Sequence, residues 1–76
     1  MSVNITDNEL WPILVDTVQS LILYQHHKAY VRDVLLPDKP ESSPRDLTLD
    51  LGISLGEAMV ILYELRQEEE KVKEGT

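Results

Sequence analysis

The sequence contains no cysteine. Disulfides and thiolate zinc sites are excluded together, so stability must come from packing or from self-association. The missing cross-links also fit a reducing compartment, and a cytoplasmic setting is expected. No lysine or arginine occurs in residues 1–27. The opening MSVNITDNEL therefore lacks a basic n-region. It lacks an apolar h-region as well, so no signal peptide is expected. Long hydrophobic runs are also missing. The most apolar segment, WPILVDTVQSLILY, is interrupted by Asp16, Gln19 and Ser20 and is too short and too polar to span a bilayer. There is no Ser-His-Asp order, no phosphate-cradling glycine loop and no zinc-ligand spacing. LGISLG holds two glycines, but without the strand-loop-helix context of a nucleotide site. No enzyme, catalytic residue, cofactor or metal is expected.

Apolar material is what the chain does have. Of its 76 residues, 24 are Leu, Ile or Val, and the aromatics are Trp11, Tyr24, Tyr30 and Tyr63. That is enough for the core of one domain and excludes disorder over most of the length. A domain this small buries only about 60% of its unfolded surface, so an oligomer, a dimer first of all, is expected. The net charge is −7. Residues 28–46 balance, whereas 47–76 hold seven acidic groups against Arg66, Lys71 and Lys73. Nucleic-acid binding begins with phosphate neutralisation, and here that contribution is repulsive overall.

The chain reads as helices punctuated by caps. Thr6 with Glu9 forms a capping box, and Ile5 with Leu10 a hydrophobic staple. Pro12 then either bends the first turn or places the regular helix start near Trp11. Leu14, Val18, Leu21, Ile22 and Ala29 recur at helical spacing, which predicts a long first helix running to about 28–34. The segment YVRDVLLP is β-rich enough for a short strand as the alternative. Three of the four prolines fall in 37–44, a loop. Ser43, Pro44 and Asp46 then open a short helix, and Gly52 ends it. Ser54 and Glu57 read as a second capping box. Glu69–Lys73 and Arg66–Glu70 support the long helix that follows, with Gly75 at its end. Leu47, Leu49, Leu51, Ile53 and Leu55 also alternate as a strand would, but a strand explains none of the caps. The expected fold is a single all-α, three-helix domain over 1–76, frayed at 1–5 and 74–76.

DLTLDLGISLGEAMVILYEL resembles the helix-turn-helix of winged-helix and related regulators, through Leu47, Thr48, Leu51, Gly52, Ile53, Ser54, Ala58, Ile61, Leu62 and Leu65. The resemblance implies a recognition helix over 54–67, with Ser54, Leu55, Gly56, Met59 and Val60 facing the bases. Four of those five cannot form the hydrogen bonds that read base edges, and Glu57 and Glu64 flank them. YVRDVLLPDK followed by LGISLGEAMVILYELRQ is similar to a ribbon-helix-helix chain. There, Pro40 and Pro44 would fall inside the first helix. A DNA-binding regulator of either type is therefore the alternative function. The preferred expectation is a non-enzymatic interaction or regulatory module, a homodimer or a subunit of a larger assembly, with nucleic acid and membrane both disfavoured as partners.

The run 58–62 is apolar all round, which marks a helix buried on more than one side. The face it shares is expected to pack on the first helix or on another subunit. Its candidate interface residues are Trp11, Leu14, Val18, Leu55, Met59, Val60 and Tyr63. His26 and His27 are adjacent and point to different sides of a helix. No third ligand joins either, so a partly exposed pair near a helix end is expected, one that can make an interface pH-sensitive. Asp46, Asp50, Glu57 and Glu64 fit caps and solvated faces rather than an acid/base pair.

Overall fold

The computed structural model describes residues 7–74 and the side chains of 7–70. They form α1 (Trp11–Gln19), α2 (Tyr24–Tyr30), α3 (Leu36–Asp38), α4 (Pro44–Leu51) and α5 (Leu55–Glu74), with a π-helical turn, Val31–Leu35, joining α2 to α3. Among the described residues there is no strand, so the all-α expectation holds and both strand alternatives fall. Thr6, Ile5 and Gly75, with the contacts expected of them, lie outside the described residues. Glu74, expected to fray, is the last residue of α5.

Trp11 opens α1 with Pro12 in its first turn, where the missing N–H has no helical partner to lose. Asn8 organises the approach. Its side-chain oxygen accepts from the Leu10 N–H at 2.8 Å, and its carbonyl from the Trp11 N–H at 2.9 Å. The long first helix does not form, because the chain breaks at 20–23. The Ser20 hydroxyl donates back to the Asp16 carbonyl at 2.9 Å, and the Ser20 N–H bonds only three residues back. A serine bonded this way bends a helix. The bend turns Leu21 and Ile22 outward and brings Tyr24 into the core instead.

Helical backbone then continues from 24 to 38. Its π turn has a cause in Pro37. A proline inside a helix cannot bond to the carbonyl four residues back, and its ring crowds that oxygen. Just ahead of it the Leu36 N–H bonds to Val31, five residues back, which widens the helix where the crowding would fall. The connecting loop is 39–43, shorter than the prolines suggested.

Ser43 and Asp46 form a complete capping box at the start of α4. Gly52 closes the helix at φ 69°, its N–H bonded to the Thr48 carbonyl at 2.9 Å. That left-handed geometry is what glycine adopts without a Cβ penalty. The Ser54 hydroxyl then accepts from the Glu57 N–H at 3.1 Å. This is half of the expected box, because the Glu57 carboxylate is engaged elsewhere. The Arg66–Glu70 pair is not closed, and Lys73, the partner expected for Glu69, has its side chain outside the described residues.

The 20 residues of α5 extend about 30 Å, close to the 33 Å longest extent of the molecule. Helices α1 and α4 pack directly on α5. Between them lie Leu47, Val60 and Ile61, all fully buried, with Ala58, Leu62, Val18 and Trp11. Helix α2 stands further from α5 and is joined to it by long side chains.

Candidate interaction surface

Between α2 and α5 runs a polar seam. Glu57, Glu64 and Glu68 lie at intervals of seven and four on α5, and Tyr24, His27 and Lys28 at three and one on α2. Glu57 is only 4% exposed. Its carboxylate meets His27 Nδ1 at 2.6 Å. With the carboxylate ionised, Nδ1 must carry the hydrogen and donate it. Glu64 accepts from the Tyr24 hydroxyl and from Gln19 Nε2, the latter at 2.6 Å. Lys28 Nζ lies 3.4 Å from Glu64 and 2.7 Å from Glu68.

The seam sets the local titration behaviour. Burial pushes the Tyr24 hydroxyl above its ordinary value, and its hydrogen bond to Glu64 pushes the same way. Burial also works to raise the Glu64 carboxyl. The hydrogen bonds from Tyr24 and Gln19 and the Lys28 charge outweigh it, so the net position is below the usual range. Burial works to lower Lys28, but its bond to Glu68 and the nearby carboxylates hold it above its ordinary value. Donors and acceptors are matched, and no buried side-chain polar atom among the described residues lacks a partner. Among the described residues no three His, Cys, Asp or Glu side chains converge as a metal cage.

The candidate interface residues divide in three. Trp11, Val18 and Val60 are buried inside the single chain, Val60 completely. They build the monomer core, the first of the two packing roles expected of this face, and leave little of themselves at the surface. The reason is that α1 packs on this side of α5. Leu14 sits over Gly56, where an added Cβ would come within 3.2 Å of its Cδ1. Leu14, Met59 and Tyr63 are half-buried. The Trp11 and Tyr63 rings meet edge to face, 5.2 Å apart at 76°. With Met59, Leu62 and Arg66 they line a shallow groove of about 350 Å³. Only Leu55 stands out, at 46% exposure.

Other apolar side chains, missed by the sequence reasoning, are exposed as much or more. Ile22 is 95% accessible, and Leu10, Ile13, Leu23, Tyr30, Val34 and Leu49 are also exposed. The spacing of Leu23, Tyr30 and Val34 was available as a signal, but it overlaps the stripe of Tyr24, Val31 and Leu35 that fills the core. Two of the cations are engaged at close range. Lys28 is held by Glu64 and Glu68, and Arg32 by Asp33 through two bonds of 2.9 and 3.1 Å. No helix among the described residues is long and apolar enough to cross a membrane. Comparison with family models, with curated proteins and with solved structures finds no match to this chain.

Proposed function

We propose that this chain is a non-enzymatic protein-interaction module that works as a homodimer or as a subunit of a larger assembly. The observation that carries this reading is the surplus of apolar surface. The core is closed by Val31, Leu47, Val60 and Ile61, yet Leu10, Ile13, Ile22, Leu23, Tyr30, Val34 and Leu49 remain exposed. Scattered exposed apolar residues are ordinary, whereas residues aligned on one face, as Leu23, Tyr30 and Val34 are by their spacing, mark a binding surface. Each Leu, Ile or Val left in water forgoes about 1.5–3 kcal/mol of burial, and a partner recovers part of it. A reducing cytoplasm is the setting that fits a chain without cysteine.

The rival reading is a DNA-binding regulator of helix-turn-helix type, built on α4, the turn and α5. Two features disfavour it. Val60 and Gly56, which would face the bases, are covered by the chain's own core and by Leu14. Of the three expected phosphate contacts, Lys28, Arg32 and Arg45, the first two are already neutralised by Glu64, Glu68 and Asp33. Fluorescence anisotropy of labelled duplex DNA titrated with the chain, at low and at physiological salt, separates the two readings. The interaction reading predicts no saturable binding at either salt. Tight binding that weakens steeply with salt, and weakens again when Arg45 is neutralised, overturns it.

A further inference from the structure

We propose, building on the interaction reading, that a second copy of this chain covers the outward face of the helix spanning 24–38. That helix carries two apolar stripes. Tyr24, Val31 and Leu35 face inward and are buried. One residue earlier in each case, Leu23, Tyr30 and Val34 repeat the same spacing of seven and four. They stand 54, 45 and 51% exposed. Equal spacing puts them on one continuous line along the helix surface, with exposed His26 between the first two. Among the described residues nothing covers this line.

Charge selects the occupant. Copies of a chain carrying −7 repel each other, so self-association needs a face that is close to neutral. Within 23–34 the single carboxylate is Asp33. Arg32 neutralises it with two hydrogen bonds. The other apolar sites carry unbalanced charge. Leu10 and Ile13 lie in a stretch holding Glu9 and Asp16 with no cation. Leu49 lines one cavity in which Lys39 faces Glu41, Asp46 and Asp50, and a second in which Arg45 is the charged group. Leu36 and Pro37 share their groove with Glu68 and Glu69 against Arg32 alone. A two-fold interface brings the same patch of both subunits together, so unbalanced charge there would meet charge of its own sign. The outward stripe is also centred. His26 and Val34 lie four residues either side of Tyr30. An antiparallel pair therefore sets Tyr30 against Tyr30 and His26 against Val34.

The test is the molar mass of the full chain by sedimentation equilibrium across a concentration series, with far-UV circular dichroism confirming helix content. The mass is expected to rise from one chain to two. Tyr30→Asp and Val34→Asp, both at exposed positions, should each hold it at one chain with helicity intact, whereas Ile13→Asp should still dimerise. Arg32→Ala leaves Asp33 uncompensated in both copies and should raise the dissociation constant about tenfold, equivalent to about 1.4 kcal/mol. Adding Asp33→Asn to it should restore the original value. A single-chain mass at every concentration overturns the proposal, as does a dimer indifferent to both Tyr30→Asp and Val34→Asp. Either result leaves the interaction reading standing, since DNA binding is what sinks that one.

Discussion

His27→Ala tests the seam at its most buried point. The substitution leaves the Glu57 carboxylate, 4% exposed, without the group that now donates to it at 2.6 Å. Removing one partner of a fully buried pair costs about 3–5 kcal/mol. The His27 side chain is 29% exposed, so water can enter as it leaves. A loss nearer 2 kcal/mol is expected, the usual scale for stranding a buried polar group. For a domain of this size that corresponds to a fall in Tm of roughly 10 °C. Glu57→Gln is milder. Its amide oxygen still accepts from Nδ1, and the expected loss is about 1 kcal/mol or less. The double variant should lose less than the sum of the two, with a coupling of about 1 kcal/mol. Urea denaturation followed by circular dichroism measures all four proteins. A loss below about 0.5 kcal/mol for His27→Ala, or strict additivity in the cycle, refutes the claim that this pair joins α2 to α5.

The remaining outcomes test other parts of the fold. Glu64 has a folded-state value below its ordinary one, so it stabilises at neutral pH and that contribution is lost as pH falls through the folded value. The urea midpoint of the native chain should therefore drop more steeply on acidification than that of Glu64→Gln; equal slopes refute this. Gly52→Ala meets no atom within 4 Å, so its cost is purely the left-handed backbone, about 1–2 kcal/mol, and an unchanged urea midpoint refutes it. Val60→Asp places a charge at a fully buried site and should abolish the helical dichroism. Leu55→Asp, half exposed in the first turn of α5, should leave the dichroism intact, and a reversal of the two results refutes the placement of the core.

The α4–turn–α5 region was legible because its signals are local. Ser43, Pro44 and Asp46 set one end of α4, Gly52 the other, and Ser54 starts α5. Each acts on backbone within three or four residues, so one sequence suffices to read it. The break at 20–23 was not legible, since no glycine or proline marks it. It places Tyr24 so that its hydroxyl reaches Glu64, 40 residues away. Glu57 was hidden by its own position. The third residue after a serine reads as a cap, and the His27 that claims its carboxylate lies 30 residues earlier. The burial of Val60 and the exposure of Leu49 differ through tertiary placement, which hydropathy does not report. What the sequence did offer was the acids at 57, 64 and 68, spaced to share one face of a helix, and the donors clustered at 24, 27 and 28. Acids inside an otherwise apolar helical face call for partners across the core.

That seam also determines which side of α2 faces outward. Apolar contact is non-directional, and α2 carries two overlapping apolar stripes one residue apart. Hydrophobicity alone would bury Leu23, Tyr30 and Val34 nearly as well as Tyr24, Val31 and Leu35. Hydrogen bonds and ion pairs are directional. Tyr24, His27 and Lys28 lie beside the second stripe, and their partners on α5 are fixed by the helix that Leu47, Val60 and Ile61 lock in place. Rolling α2 by one residue, about 100°, would carry all three donors away from Glu57, Glu64 and Glu68. It would leave buried Glu57 unpaired, a penalty larger than the small difference between the two stripes. The polar seam therefore selects the roll of α2, and through it the apolar line that the helix turns outward.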